Sequence, residues 1–357
     1  MFKSSRLKHS FFLPSQSSLH NSSSSRLLAG SNMLSSPKMH LPLLAMTMAT
    51  TTLGVSAQTI SLADMLASQN ATLSILNGFL EQQQTLFNTF SNANDITVLA
   101  PSNDALSSLP SALVSRVSTD PDYLAALLSY HVLNGTYYSS QLSSPSNANN
   151  PVYIRTLLNS SAYSNVTGGQ RIVSEVSSSA DGSISVSLSS GGKSLAPLQL
   201  ADYNFTGGTV HIIDAMLSLP MNLTTTLLEA NLTAAVGAIQ QAGMESTLNS
   251  PQERGEREMT IFAPNNAAFA AVGSLVADMT VAELQSVVGY HVVAGQVLYG
   301  GMLALAATGA GAEEKAATLQ GGKVTFRRED GGLFVNSARV VVADVLIANG
   351  VLHIIDG

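Results

Sequence analysis

Thr97-Val-Leu-Ala-Pro-Ser-Asn-Asp-Ala-Leu106 and Thr260-Ile-Phe-Ala-Pro-Asn-Asn-Ala-Ala-Phe269 are two versions of one segment, with five positions identical and three more exchanging one apolar side chain for another. In each, a short β-rich run meets a proline, which cannot donate to a ladder and is expected to stop the strand. Two further pairs follow in the same order. Tyr130-His-Val-Leu-Asn-Gly135 matches Tyr290-His-Val-Val-Ala-Gly295, and Gly208-Thr-Val-His-Ile-Ile-Asp214 matches Gly350-Val-Leu-His-Ile-Ile-Asp356. The last interval is longer in the first copy by about 18 residues, and the Pro/Asn/Ser-rich stretch Ser143–Pro151 is expected to hold part of the excess as a surface loop. A repeating unit of about 150 residues is far longer than the ~20–50 of a solenoid repeat, so the copies read as two whole domains. The boundary falls near Leu219-Pro220-Met221-Asn222, giving domains over 58–220 and 221–357.

Local patterns fill in each unit. Ser61 with Asp64 predicts a helix start, and Leu73, Leu76, Leu80 and Phe87 predict a helix through 72–90. Asp120-Pro121 opens a second helix with proline in its first turn. Its counterpart opens on Thr280 and Glu283, spaced as a capping box, with Leu284, Val287 and Val288 as the expected buried stripe. Later, Arg171–Val176 and Ser183–Leu188 flank the turn pair Asp181-Gly182, and Lys323–Arg327 and Leu333–Val335 flank Glu329-Asp-Gly-Gly332. Helices first and strands after give an α+β domain.

The three motifs in this order, present twice, resemble the fasciclin domain over roughly residues 59–357. The resemblance implies two tandem fasciclin-like domains, each a β-sandwich-like wedge with packed helices. It also implies extracellular adhesion or matrix contact rather than catalysis, with cell-surface or cell-wall components, protein or glycan, as partners. The Ser/Thr-rich, cysteine-free chain is most similar to fungal secreted members. From the family, too, comes the idea that Tyr130, His131, Tyr290 and His291 take part in attachment. Read from the residues alone, each Tyr packs its ring and each His bonds a nearby backbone group. A secreted binder of a small hydrophobic or glycan ligand is the alternative.

Composition narrows the chemistry. Of 357 residues only 11% are charged, and cysteine is absent, which excludes disulfides, thiolate metal sites and a cysteine nucleophile. Residues 1–57 carry five basic side chains and no acidic one; the remainder carries 11 basic against 23 acidic, a poor surface for nucleic acid. Residues 1–38 form a Ser-rich basic leader or an extension of the gene reading. Residues 39–57 have the basic, apolar and small-x-small layout of a secretory signal, with cleavage expected after Ala57. An acid-free, Ser/Arg-rich leader also suits organelle targeting, so a vacuolar or organellar lumen is the alternative to secretion. The apolar run is too short for a membrane span. Asn-x-Ser/Thr acceptors stand at Asn70, Asn134, Asn159, Asn165, Asn204, Asn222 and Asn231, all before residue 232. Copy one continues past its aspartate as Ala215-Met-Leu-Ser-Leu-Pro220, so by repeat symmetry copy two is expected to continue beyond Gly357, where family members often carry a stalk and a lipid anchor.

After residue 57 the histidines are His131, His211, His291 and His353. His211 with Asp214, and His353 with Asp356, have a spacing that on a strand puts the two side chains on opposite faces, so neither pair is expected to converge on a metal. Each is expected to be a bonded core histidine beside an aspartate that caps a turn. Asn103 and Asn266, two residues after Pro101 and Pro264, are expected to hold their own turns. There is no His-Glu-x-x-His, phosphate loop or Gly-x-Ser-x-Gly, and no cofactor site is expected.

Overall fold

A computed structural model describes residues 60–143, 151–179, 181–249, 258–307 and 314–357. Residues 1–38, the segment 39–57 read above as a secretory signal, and most of the Ser143–Pro151 stretch lie outside the described residues. Both domains belong to one compact unit.

The first domain runs α1 (Leu62–Ser68), α2 (Asn70–Gln82), α3 (Gln84–Ser91), β1 (Ile96–Pro101), α4 (Asn103–Ser107), α5 (Ser111–Thr119), α6 (Pro121–Tyr130), β2 (Val132–Asn134) and α7 (Ser139–Leu142). Strands β3 (Val152–Arg155), β4 (Arg171–Ser178), β5 (Ile184–Ser189), β6 (Leu195–Phe205) and β7 (Gly208–Ile213) follow. The second domain repeats the plan with α8 (Leu223–Glu229), α9 (Thr233–Gln241), α10 (Glu245–Asn249), β8 (Met259–Pro264), α11 (Asn266–Ala277), α12 (Val281–Tyr290), β9 (Val292–Ala294) and α13 (Gly300–Ala306). It closes with β10 (Glu314–Ala317), β11 (Lys323–Glu329), β12 (Gly332–Val335), β13 (Ala338–Ile347) and β14 (Gly350–Ile355).

Each domain is built on one seven-stranded mixed sheet rather than two stacked sheets. The orders are β2-β1-β7-β6-β5-β4-β3 and β10-β11-β12-β13-β14-β8-β9. Each sheet curls until its ends nearly meet: Leu133 bridges Thr156, and Leu319 N–H reaches Val292 O. The curl is made at bulges in β6 and β13, where Asp202 (φ 65°) and Asp344 (φ 61°) take left-handed conformations. The wedge therefore comes from bending a single sheet.

The repeated segments sit at the centre. β1 pairs in parallel with β7 from Ile96↔Gly208, and β8 with β14 from Gly350↔Met259. Both glycines have positive φ, and a Cβ on Gly208 would lie 1.8 Å from Ile96 O. That close approach is why the third motif begins with glycine. Thr97 and Thr260 are fully buried; each Oγ1 donates to the carbonyl of Gly135 or Gln296 and accepts from the N–H of Tyr137 or Leu298, fastening the chain beyond β2 and β9.

The predicted helix starts hold. Ser61, Asp120 and Thr280 each accept the third-residue N–H, and Glu283 completes the capping box. Two expectations need correction. Residues 72–90 form two helices broken at Gln83, with a kink at Leu73. Val287 is 36% exposed instead of joining Leu284 in a buried stripe.

Candidate interaction surfaces

The Tyr-His pair closes α6. Tyr130 is fully buried, and its hydroxyl donates to Arg171 O on β4 at 2.9 Å. His131 is 3% exposed; its Nδ1 lies 2.8 Å from Leu127 O, and its Nε2 lies 2.9 Å from the Leu217 N–H. A carbonyl can only accept, so Nδ1 carries the proton and Nε2 receives. Burial pushes the His131 pKa down to about 4, keeping the ring neutral. As an attachment surface Tyr130 and His131 are corrected, since they have nothing to show a partner. In the second domain Tyr290 donates to Lys323 O, receives Asn336 Nδ2, and stays half-exposed with His291.

His211 and His353 answer the bulges. The Asp202 N–H, freed by the bulge, donates to His211 Nδ1 at 3.1 Å, and His211 Nε2 lies 2.6 Å from Tyr137 O. His353 does the same with Asp344 N–H and Leu298 O. Here the proton is on Nε2, the opposite tautomer from His131. Burial lowers the pKa of both rings. Asp214 is exposed and does not converge with His211. Asp356 caps no turn: its Oδ1 accepts the Arg339 N–H from the neighbouring strand. Among the described residues no group of three or more His, Cys, Asp or Glu could hold a metal ion.

Asn103 and Asn266 do not hold their own turns; Ser102 and Asn265 do that as helix caps. Asn103 Oδ1 instead takes the Ile75 N–H and its Nδ2 donates to Ala71 O, replacing the helical bond those two groups would share. The Leu73 kink is the result. Asn266 bridges Ala234 N–H and Asn231 O, where α8 gives way to α9.

Six of the seven glycosylation acceptors are exposed. Asn165 is not: it is 6% exposed, and its N–H donates to Ala348 O of the second domain at 2.8 Å. A glycan there would have no room in the folded pair.

Asn165 belongs to a seam between the domains that sequence reasoning missed. β3 ends at Arg155 and β4 begins at Arg171, whereas β10 ends at Ala317 and β11 begins at Lys323, so much of the first copy's excess lies in 156–170. That insertion reaches the second domain: Gln170 Nε2 donates to Ile347 O at 3.0 Å, and the Thr167 N–H meets the Glu258 carboxylate. Beside it the Tyr153 ring stacks on Tyr299 with centroids 4.6 Å apart, over buried Val173, Leu346 and Val351.

Tyr153 also completes an aspartate. In the first domain Asp202 accepts both the N–H and the hydroxyl of Ser139, capping α7. The second domain has Gly300 at that place. Its N–H reaches Asp344 Oδ1, and the Tyr153 hydroxyl donates to Oδ2 at 2.8 Å while accepting the Gly301 N–H at 2.7 Å. Burial, then the nearby Asp344, pushes the Tyr153 phenol far above its usual pKa, so it remains a donor. A Cβ on Gly301 would lie 3.0 Å from the Tyr153 hydroxyl. The signal for this site was present in the paired residues Ser139-Ser140 and Gly300-Gly301.

Comparisons with known proteins agree with the repeats. The fasciclin domain model matches residues 71–220 and 230–357, more than half of the chain. The chain is 29% identical over 81% of its length to a fasciclin-like arabinogalactan protein of Arthroderma benhamiae, spanning 64% of that protein. It is 28% identical over 89% of its length to one of Cercospora beticola, spanning 80% of that protein. A solved FAS1 domain pair from the insect cell adhesion molecule Fasciclin I aligns with 81% of this chain and 96% of its own, at 18% identity and a TM-score of 0.38. The chain belongs to the fasciclin-domain family.

Proposed function

We propose that the protein works outside the cell as an adhesion or cell-wall and matrix interaction protein, with its two fasciclin domains acting as one binding unit and no catalytic role. The observation that carries this reading is an asymmetry of covering. Every Asn-x-Ser/Thr site precedes residue 232, so most of the second domain carries none, and there Leu275 (64%) on α11 and Val281 (54%) on α12 stand exposed, as Ile184 and Leu195 (48% each) do on the first domain. Bare apolar side chains on a low-charge surface are what a contact face needs. The relatives named as fasciclin-like arabinogalactan proteins support a cell-surface setting. No helix among the described residues is long and apolar enough to cross a membrane.

Beads coated with the protein test this against cells or wall material. Attachment that falls when Leu275 and Val281 are changed together to serine, with melting unchanged, supports the reading. No attachment, together with tight uptake of a small molecule in calorimetry, overturns it.

A further inference from the structure

The outer face of β3 and β4 is where the first domain receives the second. Tyr153 and Val173 stand directly opposite each other there and cluster with Tyr299, Leu346 and Val351. The matching strands of the second domain are β10 and β11. Tyr130 reaches Arg171 O and Tyr290 reaches Lys323 O, which aligns Arg171 with Lys323 and, two residues on, Val173 with Thr325. Opposite Thr325 stands Lys315, in the place of Tyr153. The apolar pair that docks a domain is thus replaced by a cation and a hydroxyl, a poor seat for another domain of this kind.

Cations gather on this face against the trend of the chain. After residue 57 acidic residues outnumber basic ones 23 to 11, yet residues 315–339 hold five basic side chains against two acidic. Residues directly opposite on paired strands share a face. Lys315 with Thr325, and Arg327 with Phe334 and Arg339, therefore form two rows across β10–β13, with Lys323 in line on β11. The Arg327 guanidinium lies 5.3 Å from the centre of the Phe334 ring. A Cβ on Gly332 would lie 3.2 Å from Arg339 Nε and 3.3 Å from the Phe334 ring, so Arg339 closes on the same aromatic. Glu329 stands 3.4 Å from Arg327 Nε, and Asp356 takes the Arg339 backbone N–H. The charged ends of Arg339 and Lys323 have no ion-pair partner among the described residues. Met216, Leu217 and Leu219, which follow β7, cluster with Val186 and Leu188 on the inner face of the first sheet. A matching segment after β14 would leave the outer face clear.

We propose that the outer face of β10–β13 binds an acidic polysaccharide, a glycan chain carrying uronate carboxylates. Phe334 lies against a sugar ring, and Arg327 and Arg339 take the carboxylates on either side of it. A guanidinium forks onto a carboxylate with two parallel hydrogen bonds, and a flat aromatic ring suits the C–H face of a sugar. Arg327 and Arg339 sit two strands apart, about 10 Å, which is also the reach of two consecutive sugar rings. An acidic protein segment would use the cations and leave Phe334 idle. Such binding gives the cell-wall reading a partner class and rests on that reading, but it uses other elements than Leu275 on α11 and Val281 on α12.

The test is calorimetric titration of the protein with a galacturonate hexamer, beside the neutral galactose hexamer and a hexaglutamate peptide. Saturable binding of the uronate is expected, weakening as salt is raised. Arg327→Gln combined with Arg339→Gln should weaken it about tenfold or more, with melting unchanged because both side chains are at the surface. Phe334→Leu keeps the apolar bulk without the flat ring and should weaken it about fivefold. No saturable binding overturns the proposal, as does binding indifferent to the paired arginine changes. Equal binding of the galactose hexamer overturns it too, and equal binding of hexaglutamate would make this a face for acidic proteins instead. Since the glycan is titrated in solution, a failure here leaves bead attachment standing, and attachment lost with Leu275 and Val281 leaves the glycan binding intact.

Discussion

The two domains share a scaffold and differ in how their buried apolar residues group. In the first, one continuous apolar cluster runs from Leu62 through the sheet to Leu219. In the second, the buried residues fall into separate clusters, around Leu223 and Ile261, around Phe262 and Phe326, and around Ala242 and Leu284. What the copies hold in common is therefore framework: the glycine at the parallel pairing, the threonine behind β2 and β9, the histidine at the bulge. What differs faces a neighbour. Motif identity alone therefore does not locate a contact surface.

The largest expected difference lies at the paired tyrosines. Tyr130→Ala should cost about 4 kcal/mol, since it empties a fully buried site and orphans Arg171 O, while Tyr290→Ala should cost about half of that. Equal losses of melting temperature in calorimetry would break the comparison.

Acid comes next. His131 is neutral when folded, with its pKa depressed from 6.5 to about 4, so between those values the unfolded chain binds the extra proton. Its contribution is fully present above about pH 6.5 and is lost as pH falls toward 4, on the order of 3 kcal/mol in total. Denaturant melts across this range, monitored by first-domain amides, should show stability falling with pH, and His131→Gln should flatten the slope. A slope that persists in His131→Gln assigns it to His211 and His353, whose rings are shifted in the same direction.

Tyr153→Phe removes the donor to Asp344 and the acceptor for the Gly301 N–H, costing about 2 kcal/mol. Hydrogen exchange should quicken at Asn165 and Ala348 across the seam while the β1–β7 core stays protected. Unchanged exchange at the seam would mean that the insertion holds the domains unaided. Smallest of all, Ser139→Gly gives the first domain the second domain's residue beside its partly exposed aspartate. Thermal melting should show a loss of only about 1 kcal/mol.

Much of this architecture was legible in the chain. Caps, prolines and turn glycines act on their own neighbours, so Ser61, Asp120, Thr280 and Asp181-Gly182 marked elements where they form. Asn103 was legible as a residue with a polar task but not as the one that splits α2, because its partners lie 28 and 32 residues away. The seam was hidden for the same reason: Tyr153 reads as one more strand aromatic until the fold sets it against Asp344, 191 residues on. Tyr130 and His131 were legible from their own chemistry, a ring to pack and an imidazole to bond to backbone; the attachment idea came from the family resemblance, and the repetition reflects the demands of closing a helix onto a curled sheet.

Gly300-Gly301 makes the order of the two domains irreversible. A first-type domain set in second place would present Ser139 and Ser140 where the tyrosine of its predecessor must enter, and its aspartate would already be saturated by the serine hydroxyl. A second-type domain set in first place would lack the 156–170 arm. The pair therefore has a head and a tail, like a plug and socket, and any longer string built from such units would inherit that direction.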